Sequence, residues 1–147
     1  MFPQRPSLPD TPPPLSERVE VSAQQLKRAS TVLADLSSAI GGLPVVLSQD
    51  GDVVTCAGEV QEVVFDRMAR ISGRTWQEGA SRSARELVRF EEEVIGEDDS
   101  RVTMLLYSAH IQGAVTLSIG WQLSISLTQL RAEVKDVRDA LRNLLAG

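Results

Sequence analysis

The segment VVLSQDGDVVTCAG, residues 45–58, decides the fold. Two apolar runs meet at Asp50-Gly51, a dipeptide that readily takes the positive φ angles of a tight type I′ hairpin turn. Strands are therefore expected over residues 43–49 and 52–57. A helical pattern stands immediately before this hairpin and another immediately after it. That order already excludes most folds.

Upstream, Ser22 followed by Gln25 has the form of a capping box. Leu26, Ala29, Leu33, Leu36 and Ile40 keep helical spacing beyond it, and Gly41-Gly42 ends the helix. Downstream, residues 59–77 are helical again. After a loop at 79–83, the run ARELVRFEEE sets Val88 and Phe90 on one side of a strand, with Arg85, Arg89, Glu91 and Glu93 on the other. A turn at 96–100 leads to strands VTMLLYSA (102–109) and AVTLSIG (114–120) around a second turn at 110–113. From about residue 124 a closing helix carries Leu127, Leu130, Val134, Val137, Leu141 and Leu144 as a regular apolar stripe.

The expected order is αββαβββα: an α+β fold with a single five-stranded antiparallel sheet. On the fourth strand both Met104/Leu106 and Leu105/Tyr107 are apolar, so both faces of the sheet should be covered. Helices on both faces follow. The third strand, charged along one side, suits a sheet edge.

The middle helix has an uneven wheel. At about 100° per residue, Val60, Val64, Met68 and Ile71 cluster on one side, and Phe65, Ala69, Ser72 and Trp76 form a second group roughly 120° away. One such face is enough for packing on a sheet. The surplus is expected to meet the same helix of a second copy, the alternative being a groove under loops of the same chain. Arg67, Arg70 and Arg74 make a basic stripe at helical spacing. It is either a plain solvated face or, doubled across a two-fold axis, a platform for an acidic protein partner.

Composition bounds the function. The chain has 147 residues and a net charge of −5, which argues against binding through phosphate neutralisation. One cysteine, Cys56, rules out an internal disulfide and fits a reducing cytoplasm. The N-terminus has no apolar signal core, and no run is long enough to span a membrane. Six of the seven prolines fall in the first fourteen residues. Residues 1–18 therefore read as a flexible tail and 19–147 as the folded domain. Pro3, Pro6, Pro9 and Pro12 recur every third residue, the polyproline II period, so the tail is either an unpartnered extension or bait for a Pro-motif-binding module.

These elements together resemble the Roadblock family, whose founders are dynein light chains and whose bacterial members include MglB-type regulators of Ras-like GTPases. The resemblance covers residues 22–145. It rests on the hairpin VVLSQDGDVV after a capped helix, the long middle helix, the strands VTMLLYSA and AVTLSIG, and the closing helix LTQLRAEVKDVRDALRNLL. It implies a homodimer in which third strands pair edge to edge and middle helices lie side by side. Phe65, Met68, Ala69, Ser72 and Trp76 of the helix, with Leu87 and Arg89 of the strand, would form the interface.

It also implies a Ras-like small GTPase docking over the paired helices, with Arg67, Arg70 and Arg74 as contact candidates. Bacterial members speed GTP hydrolysis by reshaping the GTPase's own loops, so these arginines are contacts and not catalytic groups. The resemblance implies neither the proline tail nor the acidic hairpin at 91–99.

No catalytic set emerges. A Walker-type glycine loop is missing. His110, the only histidine, falls in an expected turn away from other ligands, so no metal or cofactor is expected. Cys56 reads as a small buried residue. The acids at 91–93 and 97–99 fit no EF-hand spacing and suit a solvated edge. On the closing helix, Arg131, Lys135, Arg138 and Arg142 face off against Glu133, Asp136 and Asp139, which argues against a membrane-surface helix. The leading reading is a non-enzymatic homodimeric regulator of a small GTPase. Its rivals are a scaffold recruiting partners through the proline tail and a profilin-like small-molecule sensor.

Overall fold

A computed structural model describes residues 18–78, 86–94, 101–121 and 125–146. The proline repeat and most of the acidic hairpin turn lie outside these residues.

Helix α1 (Ala23–Ala39) begins at the expected capping box. Ser22 Oγ accepts from the Gln25 amide at 3.1 Å, and Gln25 Oε1 accepts from the Ser22 amide at 2.8 Å. Two otherwise orphaned donors are satisfied reciprocally. Gly41 and Gly42, at φ 79° and 85°, turn the chain out of the helix.

Strands β1 (Val45–Gln49) and β2 (Asp52–Ala57) form the opening hairpin, with Asp50 at φ 53° and Gly51 at φ 86°. Both central residues have the positive φ that a type I′ turn demands. The register steps from Leu47 opposite Thr55 to Ser48 opposite Val53, which leaves Val54 as a bulge.

Then come α2 (Glu62–Glu78), β3 (Glu86–Val94), β4 (Arg101–Gln112), β5 (Val115–Trp121) and α3 (Leu127–Ala146). The strands form one antiparallel sheet in the order β2-β1-β5-β4-β3. Its edges are β2 and β3.

Helices cover both faces. On one, Leu33 and Leu36 of α1 and Leu130 and Leu141 of α3 pack on Leu47, Leu117 and Ile119. On the other, Phe65, Met68, Ala69 and Ile71 of α2 pack on Val46 and Leu106. Every residue of β1 is buried, as its two-sided hydropathy requires.

Two expectations need correction. Strand β4 does not end before His110; it runs on to Gln112, pairing His110 with Thr116 and Gln112 with Val115. The cause is remote in sequence. Arg138 Nε donates to the His110 carbonyl at 2.9 Å and Arg142 Nε to the Ile111 carbonyl at 2.8 Å, so α3 holds this end of the strand in place. His110 therefore sits in a strand, half-buried.

The second concerns α2. Its supposed surplus face is not spare: Phe65, Ala69, Ser72 and Trp76 are 8%, 0%, 0% and 4% exposed within the single chain. The helix packs against four strands, β1, β2, β4 and β5, and so buries an arc wide enough for both groups. Phe65, Met68, Ala69, Ser72 and Trp76 face their own sheet, and the wheel gives no ground for a second copy.

Candidate protein-binding face on helix α2

With half its circumference turned inward, α2 leaves an outer face on which Glu62 and Asp66 are exposed beside a line of Val63 and three arginines. Val63 is 39% exposed, Arg70 and Arg74 are exposed, and Arg67 is half-buried beside them. At about 100° per residue these four fall on one line down the helix. The arginines expected as partner contacts thus share a surface with an apolar side chain at its N-terminal end. Val60, just before the helix, adds a second exposed apolar group.

The inner side of α2 is seated partly on hydroxyls. Ser72 Oγ lies 2.9 Å from Ser108 Oγ of β4 and 3.2 Å from Thr116 Oγ1 of β5. Thr116 Oγ1 in turn is 3.1 Å from Ser48 Oγ of β1. Trp76 Nε1 donates to Ser108 Oγ at 2.8 Å, and Ser118 Oγ donates to the same oxygen at 3.3 Å. All six side chains are buried. Sequence reasoning missed this cluster. Its signal was a small hydroxyl interrupting each apolar run: Ser48 in VVLSQ, Ser108 in LLYSA, Thr116 and Ser118 in VTLSIG.

At its far end, α2 touches the opening hairpin, with Gly73 against the Asp50-Gly51 turn. On the other side of that turn lie the first described residues. One terminal guanidinium nitrogen of Arg18 bridges Asp50 Oδ2 at 3.0 Å. The Gln49 amide pairs with both backbone groups of Val19, accepting from its N–H and donating to its carbonyl. An open groove of about 810 Å³ beside this anchor is lined by Val19, Val21, Leu26, Gln49 and Val54 among others.

Edge strand β3 carries Leu87 and Arg89, expected at a dimer interface; their side chains lie outside the described structure. Its backbone pairs with β4 alone among the described residues. Val88 on it is 46% exposed. The strand is pinned at its start by Glu86, whose carboxylate accepts from Tyr107 Oη at 2.6 Å and from Arg131 Nε at 2.8 Å. Burial by itself pushes the Glu86 carboxyl up, but hydrogen bonds from Arg131 and Tyr107, with Arg138 nearby, outweigh it and hold it below its ordinary value. Burial, then the Glu86 carboxylate, pushes the Tyr107 phenol up.

His110 Nε2 lies 2.9 Å from the Gly113 carbonyl, and its ring centroid is 6.0 Å from that of Trp76. Burial lowers its affinity for a proton, and the charges of Arg142 and Arg138 lower it further against the opposing pull of the carbonyl. Cys56 is half-buried; burial, with Glu62 and Asp66 nearby, raises its thiol above the ordinary value, unlike an activated thiolate. Among the described residues no group of three His, Cys, Asp or Glu is placed to hold a metal ion. No described helix is long and apolar enough to cross a membrane.

Comparison with solved structures gives the fold its kin. The chain superposes on the gliding protein MglB of Thermus thermophilus with a TM-score of 0.64 at 18% identity, over 87% of this chain and 96% of that one. For Myxococcus xanthus MglB the TM-score is 0.61 at 17% identity, over 87% and 95%. A Roadblock/LC7 domain from Streptomyces avermitilis gives 0.60 at 16%, over 80% and 98%. No family model matches the sequence, and no curated protein matches it. The chain has a Roadblock fold of the MglB-like form.

Proposed function

From that fold we propose that the chain is a homodimeric, non-enzymatic regulator, working in the cytoplasm, that binds a Ras-like small GTPase and stimulates its GTP hydrolysis. The observation that carries this reading is the outer stripe of α2, where Val63 and Val60 stand beside Arg67, Arg70 and Arg74. A rigid helix face with an apolar anchor and guanidinium groups suits an acidic protein surface better than a small ligand. The solved structures that support it are named as MglB, one of them in a tetrameric arrangement.

Self-association in this reading runs through the β3 edge, with Leu87 and Arg89 on the pairing strand. A sheet edge with an exposed Val88 is the kind of surface that accepts a second strand. The deciding experiment is capture of purified Ras-like GTPases, loaded with GTP or GDP, on the immobilised chain. Nucleotide-dependent capture together with faster GTP hydrolysis supports the reading. Equal indifference to both nucleotide states sinks it.

A further inference from the structure

Among the buried hydroxyls beneath α2, the direction of the Ser108 proton is deducible. An indole N–H only donates, and a hydroxyl offers one proton and two lone pairs. Ser108 Oγ receives both Trp76 Nε1 and Ser118 Oγ, which fills its lone pairs. Its own proton must then go to Ser72, 2.9 Å away. The chain continues from Ser72 to Thr116 at 3.2 Å and from Thr116 to Ser48 at 3.1 Å, pairs in which either oxygen can donate.

We propose that Trp76, together with Ser118, orients the Ser108 hydroxyl toward Ser72, and that the hydroxyl chain Ser108–Ser72–Thr116–Ser48 held in this way fixes α2 at one position on the sheet. It links the helix to β4, β5 and β1 in sequence. The apolar contacts of Phe65, Met68 and Ile71 hold the helix down but have no direction, whereas hydrogen bonds do. Displacing the helix by a fraction of a turn breaks several short contacts at once and strands buried polar groups, each of which is costly unpaired. Bonds in series also strengthen one another, so the lock works as a unit. Trp76 is a positioning residue in this scheme, acting through Ser108 on the helix that carries Arg70 and Arg74. The lock belongs to the free chain, and its test uses no partner, so it stands or falls separately from the GTPase reading.

The test is a double-mutant cycle on the full chain between the two ends, Trp76→Phe and Ser48→Ala, read by denaturant unfolding. A coupled chain predicts that the double variant's unfolding constant departs from the product of the singles by more than about threefold. Agreement within about twofold means plain packing and overturns the proposal. If Trp76→Phe does not fold, the indole protons are read by NMR in Thr116→Val. The Trp76 indole signal should shift and exchange with solvent about fivefold faster, while that of Trp121, which donates to the Ile125 carbonyl, stays in place. An unmoved Trp76 signal is equally fatal.

Discussion

Gly73 in α2 and Gly51 in the hairpin turn meet backbone to backbone: a Cβ on Gly73 would stand 2.8 Å from both Cα and N of Gly51. Nothing flexible is available there to yield. Gly73→Ala should therefore destabilise the protein by about 1–3 kcal/mol through overpacking, even though alanine is the better helix former by about 1 kcal/mol. Thermal denaturation decides it. A higher melting temperature for Gly73→Ala would mean that helix and turn are not in contact.

Charge reversal on the outer stripe separates binding from folding. Arg70→Glu with Arg74→Glu should weaken capture of a small GTPase at least tenfold, about 1.4 kcal/mol. Both side chains are exposed, so any change in melting temperature should be small beside the loss of capture. Undiminished capture would exclude this face as the docking surface.

Glu86 ties stability to acid. Its folded value lies below the ordinary 4.5, so its contribution is present above that pH and is lost as pH falls through the lowered value. Glu86→Gln should melt at a lower temperature near neutrality. The gap to the original protein should narrow steadily below pH 4.5. A gap of constant width across that range would show that the carboxylate charge contributes nothing.

His110 acts in the same direction at higher pH. Its folded value is depressed below 6.5, so the unfolded chain takes the proton first as the pH falls. Stability should decline below pH 6.5 on this account, and His110→Gln should flatten that decline. The charges of Arg142 and Arg138 from α3 act on the ring and Trp76 from α2 packs beside it, so a further cation there is unwelcome. Parallel curves for the two proteins would place the slope elsewhere.

What the sequence made legible was local. Ser22 with Gln25, and Asp50 with Gly51, each encode their geometry within a few residues, and the structure follows both. What it concealed was relational. Whether Phe65 and Trp76 are spare depends on how many strands α2 crosses, which no helical wheel contains. The end of β4 is set by Arg138 and Arg142, 28 and 31 residues from the carbonyls they hold. The hydroxyls at Ser48, Ser108 and Thr116 lie in three different strands and make sense only once the sheet order brings them together beneath Ser72.

The two borders of the sheet differ in how readily each accepts a further strand. Strand β3 is nine residues long and pairs with β4 in unbroken register. Strand β2 has six residues, kinks at Val54, and has Arg18 folded against the adjoining turn. A straight border accepts a further strand, and a short kinked one resists it. A second copy joined at β3 would turn a β2 outward at each end of the enlarged sheet. Such a sheet would end on both sides in a short, bulged strand, which is a poor template for further strand addition.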